Sequence, residues 1–180
     1  VLASASIAGV DAIYSVGGAQ AIAAMALGTE TISPVDKIVG PGNLFVTIAK
    51  RKLFGLVGID GLHGPTETLI IADETADPEV CAADLLAQAE HDPLAAPLLI
   101  TPSLELATTV AVQIVGQAVE LTRGGIALQA FANRGGIAVV EDLGIALDLS
   151  NEYAPEHLSL VVRDADKFID RVRNAGGLFI

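Results

Sequence analysis

Three groups of residues carry side chains from which chemistry could be built. Asp84, Gln88 and His91 follow one another at helical spacing. At about 100° per residue, a helix brings all three within roughly 60° of one another. Ala82, Leu85, Leu86 and Ala89 then fall on the broadly opposite side, where a core would lie. The stripe offers an imidazole, a carboxamide oxygen and carboxylates, and imidazole is the commonest ligand of Zn²⁺. Spacing alone fits a solvated helix face better, with His91 near the negative end of the dipole and Asp92-Pro93 stopping the helix. The second group is Tyr153-Ala154-Pro155-Glu156-His157-Leu158, a loop entering an apolar strand. Histidine as a residue type can exchange protons under mild conditions and glutamate can activate a water, so adjacent Glu156 and His157 suit proton transfer. Strand ends are also where α/β proteins gather ligands. A polar loop that merely holds both residues is the alternative.

The third group is two glycine turns, Val16-Gly17-Gly18-Ala19-Gln20 and Val39-Gly40-Pro41-Gly42-Asn43. Each follows an apolar run and precedes a helical one, where backbone N–H groups can approach an anion. Neither is a G-x-G-x-x-G fingerprint, because the third glycine position after Gly40 and Gly42 holds Phe45. Gln20 and Asn43 still offer amide hydrogen bonds to a nucleotide, and plain tight turns are the alternative. Gly64-Pro65-Thr66-Glu67 adds a hydroxyl and a carboxylate just before a strand, a plain turn when read alone. His63 reads as an incidental loop residue, and Cys81 as a small buried one.

The elements that must position these groups alternate between β-branched runs and Ala-rich helical stretches, the pattern of an α/β fold. Strands are expected at 12–16, 37–39, 68–72, 97–101, 136–140, 158–162 and from 178, with a further short apolar piece at 56–59. Helices are expected at 19–27, 44–53, 77–90, 103–121, 142–149 and 165–174. Asp77-Pro78 is a cap followed by proline at the first helical position. The stretch between residues 122 and 135 carries no assigned element. The Gly/Pro-rich loop at 60–67 is the best internal boundary, giving one α/β unit over 1–66 and a second over 67–180.

Composition bounds the function. The chain has 180 residues, 52% hydrophobic and 18% charged, so intrinsic disorder is excluded. Ten Lys and Arg against 22 Asp and Glu leave a net charge of −12, which argues against a nucleic-acid partner. One cysteine closes no intramolecular disulfide, and no apolar stretch approaches a bilayer span. Val1-Leu2-Ala3-Ser4 lacks a basic n-region and an initiator Met. The expectation is a cytoplasmic piece of a larger protein with no membrane partner.

Taken in order, five segments resemble the histidinol dehydrogenase family: residues 16–23 (Val16 to Ala23), residues 35–43 (Val35 to Asn43), Gly64-Pro65-Thr66-Glu67, Gln88-Ala89-Glu90-His91 and Pro155-Glu156-His157-Leu158. The resemblance runs nearly the length of the chain and covers the middle of that family's protein. It implies a Rossmann-like fold with an aldehyde-dehydrogenase-like arrangement of two α/β units, incomplete here. It also implies NAD-dependent oxidation of L-histidinol, through L-histidinal, to L-histidine, with Zn²⁺ as second cofactor and a homodimer at full length. Residue by residue, Gln88 and His91 match metal ligands that also contact substrate. Glu156 and His157 match the catalytic pair, with His157 touching substrate as well. Gln20 and Asn43 match NAD contacts, and Thr66 stands where a substrate-contacting Ser or Thr occurs. The family's other zinc ligands, an Asp and a His, fall downstream of Ile180, and an aromatic NAD contact falls upstream of Val1. Two other readings stay open: a relative oxidising another small polar alcohol, for which the unusual Gly61-Leu62-His63 is a reason, and a non-catalytic α/β binding module.

Overall fold

The computed structural model describes all residues, 1–180, and the chain divides into two compact units, Val1–Gly64 and Pro65–Ile180. In the first unit, helices α1 (Leu2–Ala8), α2 (Gly18–Leu27) and α3 (Leu44–Leu53) accompany a two-stranded parallel sheet of β1 (Lys37–Ile38) and β2 (Gly58–Ile59). Gly28 ends α2 at a φ of 76°, a backbone conformation that glycine adopts without steric cost. Asn43 starts α3 by accepting the N–H groups of Phe45 and Val46 on its side-chain oxygen. Ile22, Ile38 and Val57 form a small core under α2 and α3. The strand expected at 12–16 is absent. Ile13, Tyr14 and Val16 are exposed, and no ladder partner pairs with them. An apolar run becomes a strand only where neighbouring backbone accepts its hydrogen bonds.

The second unit is a parallel five-stranded sheet between two helical layers. Its strands are β3 (Glu67–Ala72), β4 (Ala96–Thr101), β5 (Gly136–Val139), β6 (His157–Val161) and β7 (Gly177–Phe179), in the order β5-β4-β3-β6-β7. Numbered within the unit this is 3-2-1-4-5, the Rossmann order, and the order reverses between β3 and β6. Helices α4 (Pro78–Ala89), α5 (Leu104–Ala118) and α6 (Gly124–Arg134) cover one face through Leu85, Leu86, Val110 and Ala127, which meet Ile70 and Leu99. Helix α7 (Leu143–Tyr153) covers the other through Ala146 and Leu147, which meet Leu69, Ile71, Leu158 and Leu160. Each large aliphatic side chain fully buried here contributes about 2 kcal/mol. β3 is buried on both faces, which is why it reads as a continuous apolar run rather than an alternating one.

One expectation fails in this unit, and one helix forms where none was expected. Residues 165–174 form short 3₁₀ turns, Ala165–Lys167 and Ile169–Arg171, instead of one helix. The buried Asn151 captures this backbone: it donates to the Arg171 carbonyl and accepts the N–H groups of Arg173 and Asn174. A side chain from a distant element has replaced intrahelical bonding. Helix α6, like α1 in the first unit, has no sequence assignment; it opens on Arg123-Gly124-Gly125 without a side-chain cap. Gly124 is required where α5 turns into α6, since a Cβ there would lie 1.8 Å from the Ala118 carbonyl oxygen.

Candidate functional site

Strand β6 alternates polar and apolar residues over His157-Leu158-Ser159-Leu160, so His157 and Ser159 share the face opposite the two leucines. In the register of the sheet, His157 stands directly beside Thr68 and Ser159 beside Ile70 on one side, and Ser159 beside Phe179 on the other. Helix α4 returns over this face after β3 and packs through Leu85, Leu86 and Ala89, setting Asp84 and Gln88 at the margin of that contact. The result is a cavity of about 220 Å³ lined by Thr68, Asp84, Gln88, His157, Ser159 and Phe179.

The lining is polar and under-satisfied. Thr68 Oγ1 and His157 Nδ1 are buried without a hydrogen-bond partner, although Thr68 is only 2% exposed. A buried donor or acceptor left unpaired costs about 1–3 kcal/mol, so two in one small cavity mark it as a place for a polar guest. Ser159 Oγ donates to Asp84 Oδ2 over a long 3.4 Å. The Phe179 ring meets the His157 ring edge-on, with centroids 5.7 Å apart, and limits how the imidazole can turn.

The turn that delivers His157 is strained. Ala154 ends α7 at a φ of 56°, the only non-glycine residue at positive φ. Pro155 and Glu156 follow, and their carbonyls accept the N–H groups of Gly176 and Gly177. Glu156 itself is exposed and does not line the cavity. His91 also stays outside it. Helix α4 ends at Ala89, leaving His91 exposed in the following turn, its carbonyl accepting from Arg123. Thr66 is half-buried before β3, its carbonyl accepting the Ala96 N–H. The structure thus joins Gln88 to His157 and adds Thr68, Asp84, Ser159 and Phe179 around them. Of these four, sequence reading noted only Asp84. The period-two polarity of β6 was the signal for Ser159, and no comparable signal marks Thr68 inside an apolar strand.

This cavity sits at the amino ends of β3 and β6, the reverse of the carboxyl-end rule for α/β sheets. The carboxyl edge does carry a larger cleft, about 640 Å³, with Asp73, Glu141, Asp142, Arg163 and Lys167 among its lining. Its buried carboxylate is already committed: Asp73 accepts from the Thr75 hydroxyl and from the N–H groups of Thr75 and Arg163. Burial pushes the Asp73 carboxyl up, and these hydrogen bonds outweigh it, so its pKa is lowered overall. Asp142 caps α7. That edge offers no imidazole.

In the first unit, Asn43 spends its side-chain oxygen on the α3 cap, which leaves the amide NH₂ as its free group. Gln20 lies exposed on the first turn of α2, its Oε1 2.9 Å from where a Cβ on Gly18 would stand. The turn at Gly40 is gripped by an ion pair. Asp60 Oδ2 accepts the Gly40 N–H at 2.7 Å, and Lys50 Nζ donates to the Gly40 carbonyl and, at 2.6 Å, to Asp60 Oδ1. The Lys50 hydrogen bond first, then the Gly40 N–H, holds the Asp60 carboxyl far below the usual carboxylate range. Cys81 is inert by contrast. Burial first, then Asp84 and Asp77, pushes its thiol up to about 11.

No group of three or more His, Cys, Asp or Glu side chains is placed to hold a metal ion. Gln88 and His91 are neutral donors whose side chains form no hydrogen bond within the chain, so they fit as two ligands of a larger set rather than as a closed site. No helix is long and apolar enough to cross a membrane.

A parallel sheet in Rossmann order, with an imidazole-bearing polar cavity on one face, defines an α/β protein of the Rossmann-like class. The family profile described as histidinol dehydrogenase matches residues 1–180, and the chain belongs to that family. It is 55% identical over its full length to histidinol dehydrogenase of Thermosynechococcus vestitus, and 52% identical to that of Thermus thermophilus. A crystal structure of histidinol dehydrogenase from Elizabethkingia anophelis superposes with a TM-score of 0.90 at 43% identity, covering 99% of this chain and 41% of that one. The chain spans 42% of the length of the Thermosynechococcus relative.

Proposed function

We propose that this chain carries the central part of an NAD- and zinc-dependent dehydrogenase that oxidises L-histidinol through L-histidinal to L-histidine. The observation that carries the reading is the cavity joining Gln88 to His157 around an unpartnered, buried ring nitrogen. Family membership and identities above 50% to curated histidinol dehydrogenases support it. When bound, NAD⁺ would supply the hydride acceptor and Zn²⁺ a positive charge to hold and orient substrate. Gln88 and His91 would be two of the metal's ligands, and both would touch substrate beside Thr66. His157 Nδ1 has no competing hydrogen bond, so it is the atom to take the proton of an alcohol entering the cavity. Glu156, exposed one residue earlier, suits activation of the water that hydrates the aldehyde. Gln20 and the Asn43 amide would contact the dinucleotide. The assembled enzyme is proposed to be a cytoplasmic homodimer without nucleic-acid or membrane partners.

The test compares residues 1–180 with the protein carried to the full length of its relatives. Zinc content after dialysis and NADH absorbance with histidinol are the readouts. Two neutral ligands leave the ion's charge uncompensated, so the short chain should lose its zinc and show no turnover. The long one should retain zinc and reduce NAD⁺. Full activity from the short chain would mean the ligands are misassigned, and reduction of NAD⁺ only with another small polar alcohol would move the assignment to a paralogous dehydrogenase.

A further inference from the structure

We infer that the Lys50–Asp60 ion pair is a positioning device for the dinucleotide contacts of the Gly40-Pro41-Gly42-Asn43 turn. The inference rests on the reading above of Asn43 as an NAD contact. Lys50 is 2% exposed, and it is the only buried lysine or arginine in the chain. Its ammonium does not face solvent, so it is not a free cation for a phosphate. It is spent on the Gly40 carbonyl and Asp60 Oδ1. Asp60 in turn takes the Gly40 N–H on Oδ2 and the Gly61 N–H on Oδ1. Both polar groups of one residue, Gly40, are therefore held by the two halves of one ion pair.

That residue is the one whose conformation most needs holding. Gly40 sits at a φ of 114°, which L side chains rarely adopt, and a Cβ there would meet nothing within 4 Å, so the turn is open on its outer side. The next three residues leave little freedom of their own. Pro41 fixes its φ, and Gly42 lies so close to the first turn of α3 that a Cβ would be 2.6 Å from Val46 Cγ1. Asn43 is pinned by its cap. The path of the turn is thus set at one end by the ion pair and at the other by the cap, and the free NH₂ of Asn43 points where those two constraints send it. Only the Lys50 end of the pair is buried, the Asp60 side chain being 27% exposed, and specifying one conformation is an attested use of such pairs where their gain in stability is small. Thr47 adds a tie from α3 to the same region by donating to the His63 carbonyl at 2.8 Å.

The test uses the full-length enzyme and two readouts: the dissociation constant of NADH without substrate, from its fluorescence change on binding, and the KM for NAD⁺ against kcat. Asp60→Asn and Lys50→Met should raise the NADH dissociation constant about tenfold or more, which corresponds to about 1.4 kcal/mol. The KM for NAD⁺ should rise with it, while zinc content and the KM for histidinol stay as in the parent. Asp60→Glu keeps the charge but displaces it by one methylene, and should give the same split to a smaller degree if Asp60→Asn does not fold. His63→Ala is the control, because its ring is half exposed and only 3.7 Å from Asp60 Oδ2; it should bind NADH normally. Folded variants that bind NADH within twofold of the parent would overturn the inference. So would a loss shared equally by zinc, histidinol and NADH, which is the signature of a purely structural pair. A parent enzyme that binds no NADH would instead remove the dinucleotide reading itself.

Discussion

Thr68 and His157 stand directly opposite each other on adjacent parallel strands, and each buries an unpartnered polar atom at the same cavity. Neighbouring positions on one sheet face lie within side-chain reach, so a hydroxyl and an imidazole there would ordinarily pair. Both are left open, and Asp84 and Gln88 face the same space from α4.

Thr68→Val tests whether the hydroxyl is truly unsatisfied. The change is close to isosteric and removes a buried group with no partner, so urea denaturation should show stability unchanged or raised by about 1 kcal/mol. A loss of about 2 kcal/mol would mean that the hydroxyl has a partner after all.

Gly176 backs the Glu156–His157 step. A Cβ at residue 176 would lie 2.7 Å from the Glu156 carbonyl oxygen, which is backbone and cannot swing aside. Gly176→Ala should cost about 1–3 kcal/mol by thermal denaturation, the usual range for overpacking. In the full-length enzyme it should also lower kcat by displacing His157. Unchanged stability and unchanged kcat together would show that the strand entry is looser than its hydrogen bonds suggest.

Asp73 gives a pH dependence of defined sign. Its folded-state pKa is lowered, so the stability it contributes is present above the unfolded value near 3.9 and is lost as pH falls through the folded value. Asp73→Asn should cost about 1–3 kcal/mol at pH 7, because a carboxamide cannot accept all the bonds the carboxylate accepts. The gap between parent and variant should narrow as pH falls below about 4. A gap that stays constant from neutral to acid pH would contradict the hydrogen-bonded carboxylate.

What was legible in the sequence follows the range over which each interaction acts. The Asp77 cap and the Gly28 stop are local, and α2 and α4 form within a residue or so of where those signals place them, while the Asn43 cap of α3 emerges only in the folded chain. The core face of α4, Leu85, Leu86 and Ala89, is a matter of helical period and was readable in the same way. The failures are non-local. Residues 12–16 have strand composition but no neighbour, residues 165–174 have helical period but are bonded by Asn151, and α6 has no start signal. At the site, Gln88 and His157 were named from the chain alone, whereas Thr68 joins them only through sheet register and Lys50 meets Gly40 only through folding of the turn.

The most direct measurement of the central claim is histidinol-dependent NADH formation by the full-length protein and its His157→Asn variant, with zinc content determined on both. The parent should form NADH and hold zinc. The variant should hold the same zinc and lose activity by about 10²–10⁴-fold, the usual contribution of a positioned acid–base group. Activity in His157→Asn within tenfold of the parent, or loss of zinc along with activity, would contradict the assignment of His157 as the proton acceptor beside a metal held by Gln88 and His91.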